Sequence, residues 1–270
     1  MTDLIAAAPS LLLLGCGKMG SAMLEGWLAG GLAPNAVAVL EPAPTPRLEA
    51  LAEEGLALNP AAPVAPAVLV VAVKPQMMDA ALPSVAAFGG GETLVISIAA
   101  GTPIAAFERL FGPGTPVVRA MPNTPAAIGR GITALIANAV AGADGLARAE
   151  ALLAPVGETV RLDAEAQMDA VTGVSGSGPA YVFHLIEALA AAGEAEGLAP
   201  DLAMRLARAT VAGAGALAGQ SSEPAAVLRQ NVTSPGGTTA AGLAELMEEL
   251  EPLMRRTVAA AARRSRELAG

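Results

Sequence analysis

The sequence feature that most constrains the fold is the decapeptide LLLLGCGKMG at residues 11–20. Four leucines without polar alternation are typical of a strand buried on both faces, and the glycines after them permit a tight turn into a helix. The same letters resemble an export signal with a lipid-anchored cysteine. That signal needs a positively charged start, whereas Asp3 is the only charged residue among the first ten. We therefore predict a strand at Leu11–Leu14 and a helix from Lys18.

The glycines of this stretch are spaced as GxGxxG between a strand and a helix. In this context the first glycine permits the turn, the second lets a pyrophosphate approach the backbone, and the third lets the helix pack on the strand. The phosphate then lies at the positive end of the helix dipole. The residues expected to bind a dinucleotide here are Gly15, Cys16, Gly17, Lys18, Met19 and Gly20.

An acidic residue is expected about 20 positions later, at the end of the second strand, where it holds the ribose hydroxyls. Glu41 stands there, directly after the predicted strand Val37–Leu40. Its carboxylate repels a 2′-phosphate and so favours NADH, although Arg47 offers NADPH a partner. An ordinary loop residue is the alternative interpretation of Glu41, and the choice between NADH and NADPH stays open.

The first 163 residues alternate short apolar runs with helical segments, a pattern that predicts a mostly parallel, doubly wound α/β domain over residues 1–163. Thr102 is expected to cap a helix that begins at Pro103, and Gly30 to end the helix that starts at Lys18. Further predicted strands cover residues 68–73, 94–98, 116–119, 132–136 and 159–162.

The strand pattern stops after Asp163, and about five helices follow. This predicts an all-α domain over residues 164–270. Its helix at 199–217 carries small residues at Ala207, Ala214 and Gly215, which allow close helix approach. Aromatic residues make up only 2% of the chain, so a small helical domain is easier to stabilise within a dimer, and we predict dimerisation through it.

Three loops follow predicted strands, at the edge where open α/β sheets bind their ligands. They contain small residues and prolines, which let a flat cofactor approach the backbone. In the third loop, Asn123 is expected to have an amide free to meet a carboxamide. The cofactor-binding candidates in these loops are Ala72, Val73, Lys74, Pro75, Ala99, Ala100, Gly101, Met121, Pro122 and Asn123.

A further glycine-rich segment, SPGGTT at residues 234–239, precedes a helical stretch. Several backbone amides near a helix N-terminus suit a carboxylate, and a plain N-cap is the alternative. The segment VSGSGP at 174–179 also interrupts a helical region, but says little by itself.

Composition excludes several functions. The net charge is −9 without a basic stripe, so nucleic acid is not an expected partner. One cysteine cannot form an internal disulfide, and a cytoplasmic location is the default. No uninterrupted run of about 20 apolar residues is present, so no membrane span is predicted. A zinc site is improbable with one cysteine and one histidine, and His184 is expected to be packed or hydrogen-bonded in a helix.

Taken together, the segments GCGKMG, VAVKPQ, ISIAAG, RAMPNTP, GVSGSGPAYVF and NVTSPGGTT resemble pyrroline-5-carboxylate reductases. The resemblance runs in order from about residue 11 to the C-terminus. It implies an N-terminal Rossmann domain, an all-α dimerisation domain whose dimers assemble further in some members, and the last step of proline synthesis.

The resemblance also implies roles for residues. The loops after the strands hold NADPH or NADH, with Met121, Pro122 and Asn123 beside the nicotinamide. Thr239 is the catalytic candidate, since its hydroxyl is implied to bind the ring nitrogen of pyrroline-5-carboxylate while Gly237 and Thr238 bind its carboxylate. The implied substrate-binding residues are Ser234, Gly236, Gly237, Thr238 and Thr239.

Two other classes stay open at this point. A β-hydroxyacid dehydrogenase or another imine reductase shares the layout, but the former uses a lysine of the helical domain, whereas Lys18 and Lys74 both lie in the nucleotide domain. A non-catalytic dinucleotide-binding regulator has no need of the SPGGTT segment.

Overall fold

The computed structural model describes residues 11–61 and 65–268. They form two compact units. The first runs up to Gly176 and includes the residues from Ala261 onward, and the second spans Ser177–Ala260. Residues 1–10, on which the argument against an export signal rests, lie outside the described ranges. The predicted division after residue 163 stays a prediction.

The first unit is built on one sheet. Its strands, among the described residues, are β1 (Leu11–Leu14), β2 (Val37–Leu40), β3 (Ala57–Leu58), β4 (Val68–Val71), β5 (Leu94–Ser97), β6 (Val117–Met121), β7 (Gly131–Ala137) and β8 (Gly157–Arg161). They lie in the order β3-β2-β1-β4-β5-β6-β7-β8, and neighbours are parallel except β6 and β7. The first three strands are added toward one edge of the sheet, and the strands from β4 onward are added toward the other edge. Folds of this type bind ligands at the point between β1 and β4 where this order switches. The predicted doubly wound α/β architecture is confirmed.

Helices cover both faces of this sheet. They are α1 (Lys18–Ala29), α2 (Pro46–Glu53), α3 (Met78–Ala81), α4 (Ile104–Phe111), α5 (Gly142–Leu153) and α6 (Met168–Val171), which continues as a π-helical turn at Thr172–Gly176. Because side chains alternate along a strand, Leu13 packs into one core with Trp27, and Leu12 packs into the opposite core with Phe107. Trp27 is fully buried, and its indole Nε1 donates to the Leu152 carbonyl at 2.7 Å.

Most predicted elements are present, with shifted ends. The predicted bounds of β1, β2 and α1 are those observed, whereas β4 ends at Val71 and β6 extends to Met121. Strand β3 has only two residues, too few to give a sequence pattern. The expected cap at Thr102 is wrong. Pro103 is the N-cap of α4, without a side-chain hydrogen bond, because the amide of Ile104 donates instead to the Glu165 carboxylate at 2.8 Å.

The second unit consists of helices. They are α7 (Gly178–Ala195), α8 (Pro200–Gln220), α9 (Ala225–Asn231) and α10 (Thr238–Leu268), the last of which ends among residues of the first unit. Helices α7 and α8 pack through Ala190, Ala203 and Ala207. The predicted close approach thus occurs at Ala207, whereas Ala214 and Gly215 are exposed and a Cβ added at Gly215 would have no heavy atom within 4 Å.

Across residues 11–61 and 65–268, none of the helices combines the length and the apolar character needed to cross a bilayer.

Candidate active site

The glycine turn joins β1 to α1 at the edge of the sheet where the parallel strands end. Gly15 adopts φ +88°, and a Cβ there would lie 2.8 Å from Val73 Cγ1. A Cβ at Gly20 would lie 2.5 Å from the Gly15 carbonyl oxygen, so the close packing of α1 on the turn requires glycine. At Gly17 an added Cβ would meet no heavy atom within 4 Å. The middle glycine therefore faces open space beside the helix N-terminus, as a phosphate-binding turn requires.

Helix α1 begins without a side-chain cap. Its N-cap is Gly17, which has no side chain to accept a hydrogen bond, and no acidic residue lies in its first turn. The first backbone amides of a helix have no intrahelical acceptor. The amides of Lys18, Met19 and Gly20 are thus available to an anionic ligand, and the helix dipole favours negative charge there.

Cys16 lies inside this turn but is buried, with 4% of its surface exposed. Its amide donates to Glu41 Oε2 at 2.8 Å, so this particular amide is directed at the carboxylate. The expectation that its backbone meets a pyrophosphate stays a prediction. Burial, followed by the nearby Glu41 and Glu25 carboxylates, raises the pKa of the Cys16 thiol to about 12. The thiol consequently stays protonated at neutral pH and packs as an apolar group.

Glu41 lies directly after β2, where the sequence placed it, and is partly buried. Besides accepting from Cys16, its Oε1 accepts from the amide of Ala43 at 3.0 Å. Asn59 also contacts the backbone of Glu41. The interpretation of Glu41 as an ordinary solvated loop residue is therefore not supported by its contacts.

Arg47, the alternative partner of a 2′-phosphate, pairs with acidic side chains. Its Nε lies 2.7 Å from Glu25 Oε1 and its Nη2 lies 3.1 Å from Glu25 Oε2. A second carboxylate, Glu54, is 3.8 Å from Nη1. The hydrogen bond from Arg47 holds the pKa of Glu25 below its ordinary value.

The first candidate loop, at residues 72–75, lies beside the glycine turn, and the second, at residues 99–101, follows β5. Ala72 and Val73 approach Gly15 directly, and the amide of Ala72 donates to the Leu14 carbonyl at 2.8 Å. Lys74 is exposed and Pro75 starts a short 3₁₀ turn. In the second loop Ala99 is buried and Ala100 is partly buried. Gly101 has φ +74°, and an added Cβ would be 3.2 Å from Cβ of Leu268, so the last turn of α10 lies against this loop.

The third candidate loop, at residues 121–123, differs from the expectation. The amide of Asn123 is not free, because its Oδ1 accepts from the backbone of Ile132 at 3.0 Å and its Nδ2 donates to Ser175 Oγ at 3.3 Å. Pro122 is buried. A Cβ at Gly176 would lie 2.6 Å from Met121 Cε, so the π-helical turn packs closely on this loop.

Three polar residues that the sequence interpretation missed organise these loops. Glu165 Oε1 accepts from Arg119 Nη1 at 2.8 Å as well as from the amide of Ile104, and thereby joins β6 to the first residue of α4. Arg119 is 6% exposed. Ser175 belongs to the VSGSGP segment, whose interruption of a helical region was the available signal. For Arg119 and Glu165, 46 residues apart, the sequence contains no signal of pairing.

The SPGGTT segment lies in the second unit and forms the turn before α10. The amide of Gly237 donates to the Ser234 carbonyl at 3.0 Å, and Gly236 adopts φ +69°. Helix α10 begins at Thr238, so the amides of Thr238 and Thr239 lie in its first turn, and both residues are exposed. The geometry suits an anion at a helix N-terminus.

His184, the one histidine, lies on α7 with its side chain 81% exposed. Its Nδ1 is 3.0 Å from Glu187 Oε2, one helical turn away. It is hydrogen-bonded, as expected, but it is not packed within the chain.

Known proteins resemble both parts of this chain. The family model for pyrroline-5-carboxylate reductase dimerisation matches residues 165–268, and the model for coenzyme F420-dependent NADP oxidoreductases matches residues 10–101. The pyrroline-5-carboxylate reductase of Pseudomonas aeruginosa is 40% identical over 97% of this chain and 98% of its own length.

Solved structures agree with these matches. That of a pyrroline-5-carboxylate reductase from Coxiella burnetii superposes with a TM-score of 0.90 at 32% identity, over 97% of this chain and 99% of that protein. The Plasmodium falciparum pyrroline carboxylate reductase, solved with NADP bound, superposes with a TM-score of 0.81 at 27% identity, over 97% and 98% of the two chains. Agreement in sequence and structure along almost the whole length establishes that the chain belongs to the pyrroline-5-carboxylate reductase family.

Proposed function

We propose that this protein reduces the C=N bond of Δ1-pyrroline-5-carboxylate to L-proline with NADPH or NADH, the last step of proline biosynthesis. The observation that supports it most is membership of the reductase family over nearly the whole chain, together with a glycine turn that has the shape of a dinucleotide site. A β-hydroxyacid dehydrogenase is not favoured, because both lysines of the sequence precede the helical domain.

The residues around the glycine turn fit a dinucleotide. Gly17 leaves open space where a pyrophosphate approaches, and the uncapped amides of α1 supply donors for it. Glu41 and the loops at residues 72–75, 99–101 and 121–123 complete the proposed cofactor-binding set. When bound, the reduced nicotinamide supplies a hydride to the C=N carbon. The chain's own task is to align this carbon with the cofactor, which by itself accounts for a large part of rate enhancement in such reactions.

The SPGGTT turn is the proposed substrate site. The backbone near Gly237 and Thr238 binds the carboxylate, with the Thr238 amide as donor because the Gly237 amide donates to the Ser234 carbonyl. Ser234 and Gly236 shape the turn around it. The hydroxyl of Thr239 hydrogen-bonds the ring nitrogen as it becomes an amine. A protonated imine is already electrophilic, so the reaction needs no dedicated acid from the protein.

A homodimer that forms through the helical domain is part of the proposal, and larger assemblies of such dimers are compatible with it. The match of residues 165–268 to a dimerisation family supports the dimer. A cytoplasmic location, without membrane or nucleic-acid partners, stays a prediction from composition.

The deciding experiment mixes purified protein with pyrroline-5-carboxylate and either NADH or NADPH, and follows nicotinamide absorbance and the formation of proline. Oxidation of one cofactor that depends on the substrate and yields proline is the expected result. Absence of turnover with both cofactors, in a folded protein that binds them, rejects the proposed function.

The role of Thr239 is tested by Thr239→Ala and Thr239→Ser. Loss of a hydrogen bond that strengthens in the transition state lowers kcat/KM by about 10- to 100-fold, whereas serine retains the hydroxyl and most of the activity. Thr257→Ala is the matched control, because that hydroxyl donates to the Leu253 carbonyl on the same helix. Wild-type kcat/KM in folded Thr239→Ala contradicts the assignment.

The role of the middle glycine is tested by Gly17→Ala. The fold should be unchanged, since the new methyl meets no protein atom, while the Kd for both cofactors rises by on the order of tenfold because the methyl points to the pyrophosphate. Gly114→Ala, at another open glycine of the same unit, is the control. Calorimetric titration measures the two affinities, and an unchanged Kd in Gly17→Ala contradicts the site.

A further inference from the structure

Glu41 is held in place from several directions. One carboxylate oxygen accepts the amide of Cys16 at 2.8 Å and the other accepts the amide of Ala43 at 3.0 Å. A side chain fixed in this way loses little conformational freedom when a ligand binds to it. The carboxylate is therefore already oriented at the edge of the glycine turn.

Asn59 fixes the backbone of the same residue. Its Oδ1 accepts from the amide of Glu41 and its Nδ2 donates to the carbonyl of Glu41, each at 2.9 Å. Asn59 adopts φ +46°, a left-handed conformation that asparagine tolerates better than most residues, and its own amide donates to the Val39 carbonyl at 2.8 Å. Asn59 thus connects the end of β3 to the first residue after β2.

The hydrogen bonds that the Glu41 carboxylate already accepts leave part of its acceptor capacity for a ligand. An ionised carboxylate has about four lone-pair positions, and two of them are used by the amides of Cys16 and Ala43. The two that remain match two ribose hydroxyl donors. A 2′-phosphate offers no such donor at neutral pH and adds negative charge beside the carboxylate, which is unfavourable.

Arg47, the first basic residue after Glu41 in the sequence, does not relieve the repulsion between the carboxylate and a 2′-phosphate. Arg47 is bound by Glu25 through two hydrogen bonds and lies near Glu54, so two carboxylates already balance its charge. Rotating it toward a phosphate requires breaking both bonds to Glu25.

We infer that this enzyme prefers NADH to NADPH, and that Asn59 is the positioning residue that keeps Glu41 in the orientation that reads the 2′ position of the cofactor. This inference rests on the proposed function, for which either cofactor would serve. It assigns a role in specificity to Asn59 and leaves Arg47 without a role in binding NADPH.

The first measurement is calorimetric titration of the wild-type protein with NADH and with NADPH, alongside kcat/KM for each with pyrroline-5-carboxylate. We expect Kd for NADH to be at least tenfold lower. Equal affinities for the two cofactors, or tighter binding of NADPH, overturn the inference. If the substrate is still reduced in that case, the proposed function stands. Binding of NADH without reduction of the substrate has the opposite meaning, because it rejects the function and retains the cofactor preference.

The second measurement compares variants. Glu41→Gln should reduce the preference for NADH by about tenfold or more, since it removes the charge and one hydroxyl acceptor. Glu49→Gln, which removes the same charge from an exposed position on α2, should leave the preference unchanged. A preference that survives Glu41→Gln overturns the inference.

Asn59→Gly tests the positioning role, because glycine adopts the positive φ without strain and lacks only the amide. We expect the Kd for NADH to rise by about tenfold with kcat at saturating NADH unchanged, and the Kd for NADPH to stay the same or fall. Asn59→Asp retains the acceptor for the Glu41 amide but sets a carboxylate oxygen against the Glu41 carbonyl, so it should raise the Kd for NADH at least as much. An equal rise for both cofactors, or no change for either, indicates a merely structural residue. If Asn59→Gly does not fold, Asn59→Asp together with Glu41→Gln decides.

Arg47→Ala completes the set. Its Kd for NADPH should remain within twofold of the wild-type value, and a rise of fivefold or more shows that Arg47 binds the 2′-phosphate after all.

Discussion

The two units of this chain bury their apolar residues very differently. In the first, the strands and their helices form two extensive cores in which Leu13, Trp27 and Phe107 are fully buried. In the second, the buried core consists of three alanines, with Ile186 packed against it. The second unit instead exposes large apolar side chains on its helices: Val182, Phe183, Leu185, Leu189, Leu202, Met204, Leu206, Leu217, Leu246, Met247, Leu250 and Leu253.

The difference shows which part of the chain is complete by itself. Each buried apolar side chain contributes about 1.5–3 kcal/mol to folding, so the sheet unit has ample driving force within one chain. Large exposed apolar patches on a protein typically mark interaction surfaces. In the proposed homodimer, a second copy buries these helical faces, and the helical unit gains the core that it lacks alone.

The largest expected effect is that of Phe107→Ala. This ring is fully buried on α4, and its truncation leaves a cavity that should lower the free energy of unfolding by about 3–5 kcal/mol. The loss should not depend on protein concentration, because the core belongs to one chain. Urea unfolding at two concentrations, tenfold apart, measures both features. A loss below about 1 kcal/mol would show that this core is not tightly packed.

The matched change in the helical unit is Phe183→Ala, at a ring that is 60% exposed in the single chain. Central aromatic residues of interfaces typically contribute about 2 kcal/mol or more, so the dimer Kd should rise by about 30-fold or more. Sedimentation equilibrium measures this Kd. Val140→Ala, at a half-exposed position of the sheet unit, is the control and should leave it unchanged. Equal effects of the two variants would remove the distinction between the units.

The smallest expected effect concerns the surface of the sheet unit. Arg161 pairs with Glu150 through two hydrogen bonds of 2.7 Å, and the bond from Arg161 holds the pKa of Glu150 below its ordinary value. A lowered folded-state pKa stabilises the protein above the ordinary carboxyl pKa, and this stabilisation is lost as the pH falls through the lowered value. Arg161 is about half exposed, so screening by solvent keeps this contribution small.

The matching experiment measures urea unfolding of Arg161→Gln and the wild type at pH 7 and pH 3. The variant should be slightly less stable at pH 7, and the difference should shrink at pH 3, because protonation of Glu150 at low pH removes its bond to Arg161. A difference that grows at low pH contradicts the assignment.

Local patterns predicted much of the fold and part of the site. The strands β1 and β2 and the helix α1 follow from buried apolar runs and from the glycines that end them, and Glu41 follows from its distance to the glycine turn. Asn123 shows where such patterns are insufficient. Its position was predicted, but its amide bonds Ile132 and Ser175, and the second partner is 52 residues away. The sequence interpretation of this amide as free was wrong, because hydrogen bonds between distant segments leave no periodic signal.

By itself, the sequence determined the order of elements, the glycine turn, the acidic residue after β2 and the family to which the chain belongs. The elements and the turn depend on apolar periodicity and on backbone conformations that few residues adopt, both of which are local, whereas the family follows from the resemblance of whole segments. Only the tertiary structure decided that Asn59 holds Glu41, that Glu25 pairs with Arg47, and that Glu165 joins Arg119 to the start of α4. Each of these contacts joins residues from different elements, and distances between elements are set only when the sheet and its helices pack.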